Sequence, residues 1–318
     1  MTVSRREVLS GLGALGLLGA AGAVTALRGR DAEASRPSTQ GASGRPGAGS
    51  SPISRPDLVV ARRGEPEELV DRALHAIGGM TRFVAAGDVV VVKPNIGFDR
   101  TPAHAANTHP AVVAAVVRAC LAAGARRVVV TDRPGRDDER SFERSQIGRA
   151  ASDAGAEVLL SSRDRYELAR FGRQRIDEWP VSRAVLESAK LINVPVAKHH
   201  SKTTFTGAIK NWFGALGGKR PDLHDQLDLA VGEVAAFFRP QLTVVDATRV
   251  LVRNGPWGGN LADVETKETV VASVDQVAAD CCACALLGIP SSAVSSLKHA
   301  ARLGAGTMAW RALPQATV

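Results

Sequence analysis

The chain has 318 residues, of which 45% are hydrophobic and 23% are charged, with 31 Gly, 16 Pro and 4 Cys. This composition is typical of a globular protein and excludes a collagen, a disulfide-stapled scaffold and a wholly disordered chain. The formal charge of +8 favours anionic ligands, but aromatic residues make up only 4% of the chain, so we expect no nucleic-acid partner.

The N-terminus has the pattern of a targeting segment. Arg5 and Arg6 precede an apolar run rich in Gly, Ala and Leu over residues 9–27, which resembles a twin-arginine (Tat) export signal. A membrane anchor is the alternative, because about 19 apolar residues can just span a bilayer. The Gly and Ala content favours a signal peptide over residues 1–34. We therefore predict export by the Tat machinery to the periplasm, cell envelope or medium, with membrane contact only through an uncleaved signal.

The next segment predicts a linker and then a folded domain. Residues 35–56 are rich in Ser, Gly, Pro, Ala and Arg and lack apolar periodicity, which is typical of a flexible tether. From Asp57 onward, short β-branched runs alternate with helical patterns. We therefore predict a single domain over residues 57–318.

The alternating runs predict an α/β fold with a mainly parallel sheet and helices on both faces. We predict helices over residues 66–83, from a Thr108 N-cap to Ala123, and over residues 275–287. Strands are predicted at residues 58–61, 89–92, 127–131, 158–160, 191–194, 242–245 and 269–273.

Polar side chains follow several of these strands. They are Lys93 and Asn95, then Asp132, then Lys198 with His200, and finally Asp246. In open parallel sheets, ligands bind beyond the carboxyl ends of the strands, so these groups predict a site along one edge. Taken singly, each has an ordinary alternative, because Asp and Asn are common turn and capping residues.

The densest polar segment runs over residues 198–214. We predict that Thr206 caps a helix whose first turns carry Lys210 and Asn211. A helix N-terminus flanked by lysines and hydroxyls is a ready anion site, whereas the plain alternative is a solvated basic loop. The chain has 32 Arg and only 8 Lys, four of which lie within residues 198–219. This concentration favours the anion site.

The same segments resemble a known family. Several short motifs, in order along residues 93–288, look like the successive signatures of the domain of unknown function 362. They are Lys93-Pro94-Asn95, Thr108-x-Pro110, Asn193-Val194-Pro195, Lys198-x-His200, Thr206-Gly207, Lys210-Asn211-x-x-Gly214, Asp246-Ala247, Gly255-Pro256-x-Gly258 and Asp275-x-x-Ala278-x-Asp280.

This resemblance implies a fold and a site segment, but no activity is established for the family as a whole. It also implies that Gly255 and Pro256 let backbone approach a ligand, although such a loop is otherwise a plain turn. Some relatives carry a ferredoxin-type cysteine segment. The 318 residues contain no such segment, so we do not carry cluster-based electron transfer over to this chain.

The sequence leaves the identity of any cofactor open. A divalent metal is one alternative, with His200, His224 and Asp246 as ligands and Asp132 nearby, but no spacing fixes the geometry. An iron–sulfur cluster is another, and its cysteines would be Cys120, Cys281, Cys282 and Cys284. We favour a buried helix over the cluster, because Cys within an Ala- and Leu-rich helix behaves as a small apolar residue.

The first function that these patterns favour is an exported enzyme acting on a small phosphate or carboxylate. Lys198, His200 and Asp132 are the predicted catalytic residues, with His200 as acid, base or metal ligand. The alternatives are a non-catalytic ligand-binding protein and a redox accessory of the cell envelope. The predicted ligand-binding residues are Lys93, Asn95, Thr206, Lys210, Asn211, Gly255 and Pro256.

Overall fold

The computed structural model describes residues 55–318. The predicted signal and the linker up to residue 54 lie outside the described residues. The strands are β1 (Leu58–Arg62), β2 (Val89–Pro94), β3 (Arg127–Asp132), β4 (Glu157–Leu160), β5 (Tyr166–Arg170), β6 (Glu178–Ser182), β7 (Lys190–Val194), β8 (Val196–His200), β9 (Thr204–Thr206), β10 (Leu242–Leu251), β11 (Val264–Ser273) and β12 (Gln315–Thr317).

Helices alternate with these strands along the chain. They are α1 (Pro66–Ala76), α2 (Pro110–Ala122), α3 (Asp138–Arg144), α4 (Ile147–Asp153), α5 (Arg183–Leu186), α6 (Ala208–Asn211), α7 (Leu227–Phe237), α8 (Gln276–Leu286) and α9 (Ser295–Arg302). Within residues 55–318, none of the helices combines the length and the apolar character that crossing a bilayer requires.

One large sheet organises the fold. Its strand order is β12-β1-β11-β10-β7-β2-β3-β4, and its neighbours are parallel except where β11 pairs with β1 and β10. β8 continues the chain beyond β7, pairs with β10 in parallel and pairs with β9 as a hairpin. The predicted α/β class with a mainly parallel sheet is therefore confirmed.

The valine runs of the central strands explain why helices cover both faces of the sheet. Val90 and Val92 of β2 pack into a core with α1 and α2, whereas Val91 packs into the opposite core with α7 and α8. Successive side chains of a strand point to opposite faces, so an unbroken apolar run requires burial on both sides. The two cores hold the sheet from both sides and so fix the positions of the strand ends.

Two helix boundaries differ from the predictions. The first helix ends at Ala76 rather than residue 83, because Gly78 and Gly79 adopt positive φ angles of 107° and 79° that an α-helix does not contain. The second helix is capped by His109, whose Nδ1 accepts from the Ala111 amide at 3.2 Å, and not by Thr108.

The strand predictions located the sheet but missed several elements. All seven predicted strands are present, and β10 and β11 each extend to ten residues. The predicted ranges cover only the continuous apolar runs of these two strands, and the added residues 246–251 and 264–268 interrupt those runs with polar side chains. The β5–β6 hairpin, which forms a separate two-stranded sheet, was also missed.

Candidate functional site

A cleft of about 390 Å³ lies where β2, β3 and β8 end. It is lined by side chains in the last residues of those strands or just after them, by α6, by the segment leading to His224, and by Pro256 with Trp257. The structure thus brings most of the polar residues singled out in the sequence to one place. The predicted residues that line this cleft are Asn95, Asp132, Lys198, His200, Thr206, Lys210, Asn211, His224 and Pro256.

A buried ion pair forms the wall between β2 and β3. Lys93 Nζ lies 2.6 Å from Asp132 Oδ1, and the Ile96 amide donates to Asp132 Oδ2 at 2.6 Å. Burial lowers the pKa of Lys93, and the Asp132 carboxylate opposes that shift. Gly214 is required here, because a Cβ at that position would overlap the Asp132 carboxylate. Asp132 is therefore neutralised by protein groups and serves to hold Lys93 and the strand end.

Three asparagines tie the strand ends to α6. Asn211 Nδ2 lies 2.8 Å from Asn193 Oδ1 and 3.1 Å from the Lys93 carbonyl oxygen, and Asn95 Nδ2 donates to Asn211 Oδ1 at 3.1 Å. Asn193 and Asn211 are both buried, so these amides satisfy groups that water cannot reach. The network positions Asn95, whose Oδ1 faces the amine of Lys198.

Lys198 is buried at 1% exposure and lines the cleft. Its Nζ donates to Asn95 Oδ1 at 3.0 Å and to the Ala106 carbonyl, and it lies 4.9 Å from the centre of the Phe98 ring. Burial, reinforced by the charge of Lys210, lowers the pKa of Lys198 to about 7. At neutral pH this amine therefore exists in both protonation states.

The structure gives His200 a role different from the predicted acid or base. Its Nδ1 accepts from the Lys202 and Thr203 amides at 3.0 and 3.2 Å, which places the proton of the neutral ring on Nε2. Burial and the charges of Lys210 and Lys198 lower the pKa of His200 to about 2. His200 is thus a fixed neutral donor, and neither ring nitrogen is free for a metal or a proton.

The start of α6 also differs from the prediction. Its N-cap is Gly207, and the amides of Ala208 and Ile209 donate to the Asp280 carboxylate at 2.5 and 3.0 Å. Thr206 ends β9 instead of capping the helix. Asp280 therefore occupies the amides that were expected to bind an external anion.

Two side chains at this end of the cleft retain donors for a ligand. Thr206 Oγ1 is buried and has no hydrogen-bond partner among the described residues. Lys210 lines the cleft with its Nζ 5.2 Å from the centre of the Phe213 ring. Burial and the charge of Arg220 lower the pKa of Lys210 to about 8. Both residues line the cleft, so their donors lie beside a molecule that enters it.

The suggested metal ligands do not assemble. Asp246 lies outside the cleft lining, and its carboxylate accepts from the His109 amide at 2.6 Å and from Thr248 Oγ1 at 2.7 Å. His200 and His224 line the cleft without it. Among residues 55–318, no three His, Cys, Asp or Glu side chains form a group that could hold a metal ion.

Gly255 supports the cleft indirectly. Its amide donates to His199 Nδ1 at 3.1 Å, its carbonyl accepts from the Ser201 amide at 3.1 Å, and a Cβ would overlap the His199 carbonyl. The close approach that the resemblance implied is therefore to the β8 backbone. Pro256, the next residue, lines the cleft.

The cysteines pack as apolar side chains. Cys281, Cys282 and Cys284 lie on α8 in the core that contains α7, whereas Cys120 lies in the opposite core, beyond the sheet. Burial raises the pKa of Cys120 and Cys281 to about 12 and that of Cys282 to about 11. Protonated thiols on opposite faces of a sheet do not form a cluster site.

Sequence reasoning missed Phe98, Arg133, Arg220 and Trp257, which all line the cleft. Arg133 follows Asp132 directly, so the strand-end argument could have found it. Trp257 follows Pro256 in the Gly/Pro loop. Arg220 carries no local pattern, and only the tertiary structure brings it to the Arg133 and Phe213 carbonyls at 2.8 and 3.2 Å.

Comparisons with known proteins give a family but no activity. The family described as "Domain of unknown function (DUF362)" matches residues 90–285. The chain is 28% identical over 247 residues to "Thylakoid-associated protein sll1697" of Synechocystis sp., covering 73% of each chain.

Two solved structures match part of the chain at low identity. The lactate racemase apoprotein from Thermoanaerobacterium thermosaccharolyticum is 13% identical with a TM-score of 0.34, over 64% of this chain and 52% of that one. A protein from Thermotoga maritima is 11% identical with a TM-score of 0.39, over 70% and 58%. The chain thus spans little more than half the length of both.

Proposed function

Because the chain belongs to the DUF362 family, whose description carries no activity, we propose a function from the chemistry of the cleft alone. The cleft binds a small anion, a phosphate or a carboxylate, and Lys198 transfers a proton to or from that ligand. The observation that carries the proposal is the charge balance of the cleft lining.

The lining carries an excess of positive charge. Among residues 55–318, the basic residues of the lining are Arg133, Lys198, Lys202, Lys210 and Arg220, and its single acidic residue is Asp132. Asp132 already pairs with Lys93, so the lining keeps an excess of positive charge. An anion that enters the cleft supplies the missing negative charge.

The two arginines of the lining add to its positive potential, because their hydrogen bonds go to backbone carbonyls and not to carboxylates. Arg220 donates to the carbonyls of Arg133, Phe213 and Pro134, and Arg133 donates to those of Leu216 and Gly218. Carbonyl oxygens orient a guanidinium but leave its full charge in place. Positive potential therefore persists at the end of the cleft near α6.

Neutral donors supply the directional contacts. The Thr206 hydroxyl lacks a partner among the described residues, and the hydrogen bonds to His200 Nδ1 leave its Nε2–H as a donor. A tetrahedral or planar anion accepts several hydrogen bonds at once. These donors, together with Lys210, form a set suited to such a group.

Lys198 is the residue we assign to proton transfer. Its pKa of about 7 lets it hold or release a proton near neutral pH, as an acid–base group requires. Asn95 Oδ1 and the Ala106 carbonyl fix the position of its Nζ. His200, which the sequence favoured for this role, contributes a hydrogen bond instead.

A non-catalytic ligand-binding protein is the second candidate. It is favoured by His200, because a ring that cannot accept a proton is suited to holding an anion and not to acid–base chemistry. The two candidates differ in turnover. An enzyme converts a bound anion and loses that conversion in Lys198→Met, whereas a binding protein shows no conversion to lose.

We also propose that the chain is exported by the Tat pathway. The support is the Arg5-Arg6 pair before the apolar run of residues 9–27. The test is to replace both arginines with lysine and follow the protein in cell fractions. Export of the original chain alone is the expected result, and equal export of both chains would refute the pathway.

Calorimetric titration with sulfate, phosphate and acetate tests anion binding. We expect Lys210→Met to weaken the affinity about 10- to 100-fold, because a charge-assisted hydrogen bond contributes about 1.5–3 kcal/mol. The matched control is Lys298→Met, since Lys298 is exposed on α9 away from the cleft. Absence of binding, or equal affinities for the two variants, would overturn the proposed function.

A further inference from the structure

The cleft combines a buried polar end with an exposed aromatic wall. At the polar end, Lys198 is 1% and Thr206 4% exposed. Trp257 also lines the cleft but is 55% exposed, so it lies at the mouth. The lining therefore changes from a buried lysine and a buried threonine to an exposed indole surface.

The exposed indole is attached to a fixed backbone. The Trp257 carbonyl accepts from Arg100 Nε at 3.2 Å, and Gly255 is held to β8 through His199 and Ser201. These contacts join the β10–β11 loop to two other segments of the protein. The exposed ring is thus attached to a backbone that is held in place, which lowers the cost of ordering it on a ligand.

Other apolar side chains add to the lining at both ends of the cleft, and the Phe98 and Phe213 rings lie beside Lys198 and Lys210. Phe98, Phe213, Pro221 and Pro256 all line the same cleft. A bare phosphate or acetate ion would fill only part of a space of about 390 Å³, which lies in the range of about 300–1,000 Å³ typical of ligand pockets. The apolar part of the lining would then stay in contact with water. A ligand with an apolar group would cover it.

We infer that the ligand is an amphipathic anion, in which a phosphate or carboxylate is joined to an aromatic ring that stacks on Trp257. This inference rests on the proposed function, because it takes the anion to occupy the buried end. It adds the substrate class. The anionic group contacts Lys210, Thr206 and His200, and the ring covers the indole at the mouth.

The test compares ligands that share a head group and differ in the apolar part. Methyl phosphate and phenyl phosphate, and likewise acetate and phenylacetate, are titrated calorimetrically into the full chain. We expect the aromatic member of each pair to bind about tenfold more tightly. In Trp257→Ala this preference is lost while the affinity for methyl phosphate and acetate is retained, and Trp257→Phe keeps the preference.

The matched control is Leu261→Ala. Leu261 lies on the same loop and is also 55% exposed, but it does not line the cleft, so its loss leaves the preference unchanged. Equal affinities within each pair, or a preference that survives in Trp257→Ala, would refute the aromatic class and leave anion binding intact. Absence of binding by all four ligands would refute both proposals.

Discussion

At the scale of single residues, the cleft depends on a few buried polar groups that other protein groups hold in place. Lys93 and Asp132 are the extreme case, with side-chain exposures of 1% and 2%. Removing one partner of such a pair leaves a charge without compensation in a region of low dielectric constant. Stability at this point therefore depends on the pair as a unit.

We expect Asp132→Asn to lower the free energy of unfolding by about 3–5 kcal/mol, because Lys93 loses its counter-charge. Urea denaturation followed by circular dichroism measures the change. Asp71→Asn is the matched control, since Asp71 is exposed on α1, and we expect its effect to stay within about 0.5 kcal/mol. A variant at Asp132 as stable as this control would contradict the role of the pair.

At the scale of elements, the central strands could be predicted because the apolar residues that define them are consecutive in the sequence. An unbroken valine run such as that of β2 is apolar on both faces, which only a doubly covered strand satisfies. Neither β8 nor the cap of α6 could be predicted in this way. Asp280 reaches the Ala208 and Ile209 amides from 72 and 71 residues away.

The same distinction between local and tertiary causes applies to the residues of the candidate site. The strand-end argument found Asn95, Asp132 and Lys198, because parallel strands bring their carboxyl ends to one edge. It predicted an acid, base or metal-ligand role for His200, whereas the hydrogen bonds to Nδ1 from amides in the turn after β8 favour a role as a donor. It could not find Arg220, whose place is set by tertiary contacts alone.

The cap of α6 gives a prediction at this scale. A Cβ on Gly207 would overlap the Asp280 carboxylate, so we expect Gly207→Ala to lower the free energy of unfolding by about 1–3 kcal/mol. Because α6 carries Lys210, the affinity for sulfate should fall as well. The measurements are urea denaturation and calorimetric titration.

Gly259→Ala is the matched control for this variant. No heavy atom lies within 4 Å of a Cβ at Gly259, so the change should be close to neutral. If Gly207→Ala unfolds at the same urea concentration as Gly259→Ala and binds sulfate equally well, the helix start does not depend on Asp280.

At the scale of the whole molecule, the net charge of +8 and the cationic cleft point in the same direction. In the cleft, basic residues of the lining outnumber its one carboxylate, which is already paired with Lys93. Positive potential attracts anions from solution and increases their local concentration. The charge of the cleft changes with pH, because two of its lysines, Lys198 and Lys210, have lowered pKa values.

We expect the affinity for sulfate to fall by at least about tenfold between pH 6 and pH 9. The pKa of Lys198 is about 7 and that of Lys210 about 8, so both lysines lose their charge across this interval. Sulfate keeps its own charge throughout, which makes it a clean probe. Bound sulfate stabilises the protonated amines, so binding takes up protons.

The variant Lys198→Met separates the two steps. It removes the group that titrates near pH 7, so only the fall near pH 8 should remain in the calorimetric titrations. A sulfate affinity that is constant from pH 6 to pH 9 in the original chain would show that these lysines do not hold the anion.

The most direct test of the central claim is a crystal structure of the protein grown with selenate, located by its anomalous scattering. We expect one strong peak in the cleft, within hydrogen-bond distance of Lys210 Nζ, Thr206 Oγ1 and His200 Nε2. That result would establish the cleft as the anion site. A well-ordered cleft with no selenate, or selenate bound only elsewhere on the surface, would contradict the account.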